Sequence, residues 1–406
     1  MAYNILLIYF VILSCFDIFI ITHKKNKFLI LVLAFLGYLF FFGFRGFIAW
    51  DWSHYYPRWL GSVNIFEAIE NDFRFNIDKY LTYEKGYQIW MSVLKVFFSN
   101  WNIYLFFTTL IDTICLLTIF YKYSPYPIFS MFLFLGFGGI QLQLDLMRNM
   151  KAILIFLFSI EFLIKNKKIK NKIMVIMSSF LHFTSLIYLI ILPFLKKNLC
   201  KYKKILLFIF LFGIIFLIFS DSILYEILKL IKEFFNNFEN NIFNRINRKL
   251  YFYLNNDFAS AKELSLGFIE RILTFLLFYI YREKISKDKY GTIFFNIFLL
   301  YMISYLYGSG VRIIFERLGL LFVCSYWIVY PILLKNISKL KKILIFSFLI
   351  LFCTLKINKS YVFNVKAREL YKYQNILWNK ETYEEKYKIY KKVFERYDRN
   401  KKREQN

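Results

Sequence analysis

Residues 165–204 read KNKKIKNKIMVIMSSFLHFTSLIYLIILPFLKKNLCKYKK. Five lysines and no acid fill Lys165 to Lys172, an apolar run extends from about 173 to 195, and a second lysine cluster runs from Lys196 to Lys204. A bilayer offers about 30 Å of hydrocarbon, and a helix needs about 20 apolar residues to cross it. Lysine-rich loops stay on the cytoplasmic side. A single crossing would put these two clusters on opposite sides. Either the charge rule is broken once here, or 173–195 is a broken or re-entrant pair of half-helices. Ser178, Ser179, His182, Thr184 and Ser185 favour a break, because polar backbone at membrane depth is tolerated where it lines a protein cavity.

Similar apolar runs lie at roughly 3–21, 28–44, 101–120, 126–143, 149–164, 204–220, 264–281, 292–307, 313–334 and 342–357. They make the chain an all-α polytopic membrane protein with about ten or eleven spanning helices. The composition agrees: 59% of the 406 residues are hydrophobic, with 52 Phe and 32 Tyr. The formal net charge of +27 would suggest nucleic acid in a soluble protein. Here the lysines cluster in short loops between spans, so that partner is rejected. Four of the five cysteines lie inside apolar runs and none forms a CxxC, which argues against disulfides and metal sites. The first run has no basic residue ahead of it and no small-residue cleavage pattern, so it reads as a retained span.

The loops set the orientation. His23 to Lys27, Lys165 to Lys172 and Lys335 to Lys342 are basic and belong in the cytoplasm. Arg45 to Asn100 balances six basic against six acidic residues and should lie outside, as should the Asn-rich stretch from Phe234 to Lys262. One membrane domain is expected over 1–357, with outer loops at about 45–100 and 221–262. A charged, helix-prone tail follows over 358–406. Strict alternation puts the tail outside; its lysines favour inside. Leu370-Tyr371, Ile376-Leu377-Trp378 and Tyr387 could lay an amphipathic face on the membrane.

Five constellations could carry chemistry. Arg45 to Tyr56 begins where the second span leaves the membrane: Arg45 suits phosphate or carboxylate, Asp51 can act as a base or orient one, and the aromatics suit stacking on a sugar. The same residues also fit an interfacial aromatic belt with a snorkelling arginine. Glu84-Lys85-Gly86-Tyr87 brings a second carboxylate to the same loop, or simply caps the amphipathic stretch Ile89 to Phe98. Arg148 opens an apolar helix, where free N–H groups favour an anion. His182 is an ionisable group within a span and can move a proton near neutral pH, although a lone histidine also serves as a structural hydrogen-bonder. Arg312, Glu316 and Arg317 enter a late span from the outer side, with Arg312 and Glu316 spaced to pair. Arg45, Arg148, Arg312 and Arg317 thus map to the outer half of the membrane, and guanidinium groups gathered there suit a diphosphate. No Walker loop and no GxGxxG is present, which excludes an ATP-driven transporter for this chain alone.

Taken in order, these elements are Arg45–x5–Asp51–x3–Tyr55, Glu84-x-Gly86-Tyr87, Arg148-Asn149-x-x-Ala152, a lysine loop, Leu181-His182 and the late Arg312 and Arg317. The set resembles the EpsG family, related to Wzy-type O-antigen and capsule polymerases, over about residues 30 to 335. Asn149-Met150-Lys151 departs from the family pattern, which has Gln and small residues after the arginine. The resemblance implies a GT-C-like glycosyltransferase, multi-pass in the bacterial inner membrane. It would join oligosaccharide repeat units carried on undecaprenyl diphosphate into surface polysaccharide at the outer face. Arg148, Arg312 and Arg317 would hold the diphosphate. Asp51 and His182 compete for the role of base. Arg45 and Glu84, with Tyr55 and Tyr87, would position sugar. No cofactor is implied, and no metal is expected because clustered carboxylates at ligand spacing are absent. Membrane lipids surround the chain, and a flippase and a chain-length regulator of the same pathway are its implied partners.

Three other readings use similar parts. An O-antigen ligase differs in its acceptor. A lipid-linked oligosaccharide flippase needs charges facing both leaflets, whereas those found here lie mainly toward the outer half. A membrane acyltransferase needs a His-centred motif, and His182 has no acidic residue near it in sequence.

Overall fold

The computed structural model of the protein describes residues 2–20, 24–76, 83–219, 226, 229–234, 265–308, 312–364, 367–378 and 381–404. Hydrocarbon offers no water to backbone N–H and C=O groups, so a spanning chain must satisfy them internally, as a helix does. The apolar runs are helical, and among the described residues the only strand-like pairings are two isolated bridges. The chain is an all-α polytopic membrane protein.

Five helices are long and apolar enough to cross a membrane: Ala2–Ile20, Asn26–Gly43, Trp101–Tyr123, Pro127–Leu144 and Gly291–Gly308. The other runs read from the sequence form shorter or more charged helices. Lys203–Phe219 has 17 residues, Met147–Ile164 carries Arg148, Lys151 and Glu161, and Lys339–Ile357 opens with three lysines. Rows of apolar side chains point outward, as a lipid-facing surface requires: Ile5, Ile8 and Ile12 on the first helix, Leu211, Ile215 and Ile218 on Lys203–Phe219.

The contacts divide the chain into two units. The first comprises Met1–Ile190 with Ile337–Asn406, the second Ile191–Asn336. At the centre of the first unit lies Pro127–Leu144, 89% of it buried. Asp17, buried in the π-helical end of the first helix, accepts from the backbone N–H of Ile128 (2.9 Å) and Phe129 (3.3 Å) and so caps the start of this central helix. The central helix kinks at Phe137 and Gly138, where Gly138 has φ 89°, a conformation glycine adopts without strain. Beyond the kink the chain reaches Asp145 and starts the Met147–Ile164 helix. That helix pairs with Lys168–Leu181 in a hairpin, pinned by Asn171 Nδ2 donating to Ser159 O at 2.8 Å.

The run at 173–195 is broken. The Lys168–Leu181 helix stops at His182, whose backbone is extended (φ −153°, ψ 114°); a 3-10 turn over Phe183–Leu186 follows, and then the helix Ile187–Leu195. Hydroxyl groups stitch the break: Ser178 Oγ and Ser185 Oγ lie 3.0 Å apart, and Ser185 Oγ donates to His182 O at 2.8 Å.

The stretch from Arg45 to Asn100 contains three short helices, Trp52–Leu60, Ile65–Glu70 and Lys85–Phe97. The C-terminal segment packs against the first of these and against the loop ahead of it. Gly46 N donates to Gln374 O, Ala49 N to Leu370 O and Ile376 N to Phe44 O, all within 3.1 Å. The final helix, Tyr383–Glu404, brings Tyr383 and Tyr390 against Phe47, Trp50 and Trp52. The tail is therefore on the same side as the 45–60 loop, and its tyrosine face meets protein.

In the second unit, Gly291–Gly308 packs against Lys203–Phe219, Arg312–Phe322 and Cys324–Lys335. Asn296 Nδ2 donates to the carbonyls of Phe194, Leu195 and Lys197 at 2.7–3.1 Å, closing the end of the Ile187–Leu195 helix. Of the expected outer loop at 221–262, all but residues 226 and 229–234 lies outside the described residues.

Candidate functional site

The chain order Glu84-Lys85-Gly86-Tyr87 places a carboxylate just ahead of a helix and a glycine within its first turn. The glycine is needed for a close approach. A Cβ at Gly86 would sit 2.6 Å from the carbonyl oxygen of Phe180, at the end of the Lys168–Leu181 helix. With hydrogen there instead, the two elements touch, and Glu84 reaches His182 from 98 residues away: Glu84 Oε1 lies 3.2 Å from His182 Nδ1. The acidic partner that no sequence neighbour supplies to His182 thus comes from the loop. The second carboxylate oxygen of Glu84 accepts from Arg148.

Glu84 is the junction of this site. Burial pushes its carboxyl up, but the His182 hydrogen bond and the Arg148 charge outweigh that and hold it at about 2. It is ionised at neutral pH. The Glu84 and Arg148 side chains are 23% and 21% exposed, so an outside oxygen can reach the pair, while the His182 side chain is only 8% exposed.

Tyrosines wall the junction. Arg148 Nε donates to Tyr55 Oη at 3.5 Å, and its guanidinium carbon lies 4.1 Å from the centre of the Tyr83 ring. Arg58 lies 4.4 Å from the same ring. Burial lifts the Tyr55 hydroxyl to about 12 despite the adjacent Arg148 charge, so it keeps its proton. Tyr87 is fully buried, and its hydroxyl shares a 3.0 Å hydrogen bond with Tyr104. Among the residues singled out from sequence, the structure therefore brings together Glu84, Arg148, His182 and Tyr55, with Tyr87 behind them.

Asp51 sits one step away. Its backbone N–H and that of Trp50 donate to Asp145 Oδ1 at 3.0 and 2.7 Å. Burial and then the Asp51 charge push the Asp145 carboxyl up, against the pull of those two donors. Arg45 is placed differently. It is 3% exposed and gives its guanidinium to Phe42 O, Thr109 Oγ1 and the Met147 sulfur, so it braces the end of the second span and does not face the junction.

In the second unit, Arg317 is half-buried on the Arg312–Phe322 helix. The side chains of Arg312 and Glu316, and the pairing expected of them, lie outside the described residues.

Three groups escaped the sequence reading. Asp145 stands three residues before Arg148. Asp112 and Lys151, 1% and 5% exposed, pair through both carboxylate oxygens at 3.0 Å, and Lys151 Nζ lies 4.8 Å from the Trp90 ring. In the second unit, Arg271 donates to Tyr301 Oη at 2.9 Å beside the buried Glu270. The available signal was the same for all of them, an ionisable residue within or beside an apolar run.

A family model described as the EpsG family matches residues 28–375. The comparisons with curated proteins and with solved structures return no match.

Proposed function

The chain belongs to the EpsG family, a Wzy-type polymerase-like family, and from that premise we propose that it polymerises lipid-diphosphate-linked oligosaccharide repeat units into a surface polysaccharide at the outer face of the bacterial inner membrane. Its donor is a growing glycan on undecaprenyl diphosphate, and its acceptor is the next lipid-linked unit. The observation that carries this reading is the Glu84 carboxylate touching both Arg148 and His182.

The reaction breaks the bond between the anomeric carbon and the diphosphate oxygen. It forms a bond from that carbon to an acceptor hydroxyl, whose proton must leave. Negative charge grows on the diphosphate and positive charge on the sugar ring. A guanidinium at the rim of the site is suited to the first, and Arg148 is partly open while one side of it is held by Glu84. An imidazole is suited to the proton. With Glu84 ionised, a His182 that donates Nδ1–H to it keeps its lone pair on Nε2, a buried atom suited to take the hydroxyl proton once the acceptor reaches that side of the ring. Glu84 then orients the base and stabilises the imidazolium that forms, as the carboxylate does in a carboxylate–histidine dyad. Tyr55, which keeps its proton, is a hydrogen-bond donor beside Arg148. Between the two candidate bases, the Glu84 contact favours His182. Asp51, set against Asp145, is assigned to holding the loop.

Gel profiles of surface glycan test the function. A strain lacking this chain should carry single repeat units as caps and no long polymer. Unattached long polymer would indicate a ligase, and lipid-linked units trapped inside would indicate a flippase. Either result would overturn the polymerase reading.

A further inference from the structure

A cavity of about 320 Å³ lies between the 45–60 loop, the start of the Trp101–Tyr123 helix and the C-terminal tail, all within the first unit. It is near the lower end of ligand pockets, about 300–1,000 Å³, a size for roughly one or two sugar rings. Its walls combine aromatic faces with acceptor oxygens. Phe47, Tyr56, Trp101 and Tyr383 supply the rings, and Glu381 and Glu384 the carboxylates.

The rings hold one another in place. Tyr56 meets Tyr383 at 4.7 Å between centres, Trp101 at 5.6 Å and Phe47 at 5.2 Å. The tail wall is fixed by a capping arrangement at the start of the last helix: Thr382 N donates to Glu385 Oε2 at 2.8 Å, and Glu385 N to Thr382 Oγ1 at 3.3 Å.

Among the described residues, the buried Nε1 of Trp101 has no hydrogen-bond partner, and the buried Oε2 of Glu381 is ion-paired with Lys386. Lys386 Nζ lies 3.8 Å from that oxygen and is itself bonded to Glu369 O. Trp101 is 6% exposed.

We propose that this cleft is a saccharide subsite that binds neutral or N-acetylated sugar rings of the repeat unit, away from the Glu84 junction. A sugar presents C–H faces to aromatic rings and hydroxyl groups to carboxylates, which is the mixture found here. Glu381 is paired with Lys386, so the Glu384 carboxylate carries the like charge that disfavours uronic acids and other anionic sugars. The family match ends at residue 375, and Ile376, Glu381, Thr382, Tyr383 and Glu384 all follow it. This wall can therefore set which glycan is accepted while the junction performs the transfer. The assignment rests on the polymerase reading for its choice of glycan.

The test uses the full chain in lipid nanodiscs and oligosaccharides released by partial acid hydrolysis of the parent strain's own surface glycan. Tryptophan fluorescence reads the titration, with Trp101 in the wall as reporter. The expected result is saturable binding that weakens about tenfold in Tyr383→Ala and stays within about twofold in Tyr383→Phe, which keeps the ring. Glu384→Gln should weaken binding of neutral oligosaccharide and lessen the discrimination against glucuronic acid oligomers. No saturable signal in the parent protein, or equal affinity in the parent and Tyr383→Ala, overturns the subsite. The polymerase reading fails separately, if a strain lacking this chain carries unattached long polymer or traps lipid-linked units inside.

Discussion

Glu84, Arg148 and His182 each stand out in the sequence as an ionisable residue beside an apolar run, but their meeting does not. His182 has no acid within its own stretch, and Glu84 lies 98 residues before it. Only the close approach at Gly86 joins them, and local sequence does not encode which distant helix end a glycine will face. Arg45 shows the opposite limit: a charge at the end of a span suggests a site, yet this one is spent on Phe42 O and Thr109. Arg148→Ala should lower polymer formation by on the order of 10²–10³-fold, the cost of losing one donor to a developing charge. Arg148→Lys should recover little of it, because a lysine cannot span Glu84 and a second oxyanion as a planar fork does. Glycan ladders from complemented strains check both. The carboxylate also gives a sign for pH. Its folded value of about 2 is below the ordinary 4.5. The unfolded chain therefore binds the extra proton in between, and the stability Glu84 contributes is present above pH 4.5 and lost as pH falls toward 2. Melting curves of the parent should fall through that window more steeply than those of Glu84→Gln.

At the level of elements, the apolar runs and their order are legible because hydrocarbon imposes a length and forbids unpaired backbone. What the runs hide is how they are interrupted. The break at His182 was foreshadowed by two lysine clusters that one crossing cannot place together and by the serines between them. The kink at Phe137 and Gly138 left no comparable mark in charge. Gly86→Ala should force the Lys85–Phe97 helix away from Phe180 and part Glu84 from His182, lowering both melting temperature and polymer length; a parent-like ladder would show that the contact is dispensable. Asp112 and Lys151 form a buried ion pair between the Trp101–Tyr123 and Met147–Ile164 helices. Removing one member strands a charge and costs about 3–5 kcal/mol, whereas a matched apolar pair is tolerated far better. Lys151→Met alone should therefore reduce the amount of folded protein, and Asp112→Leu with Lys151→Met should restore much of it, as fluorescence size-exclusion profiles would show.

Across the whole molecule, two contrary rules bear on the tail, alternation of spans against lysine content. The resolution is packing: backbone hydrogen bonds from Gly46, Ala49 and Ile376 and the tyrosine face of Tyr383–Glu404 bind the tail to the 45–60 loop. No charge count could reveal this, since the partner surface is aromatic. A reporter inserted after Asp72 and one fused after Glu404 should both register outside the cytoplasm; reporters on opposite sides would contradict this packing. The measurement closest to the central claim is elongation by purified protein in nanodiscs supplied with undecaprenyl-diphosphate-linked repeat units. Parent protein should yield a ladder of longer glycans, releasing one lipid diphosphate for each bond formed, while Arg148→Ala and His182→Ala leave single units. A ladder of parent length and rate from Arg148→Ala, or none from the parent, would contradict the role assigned to the Glu84 junction.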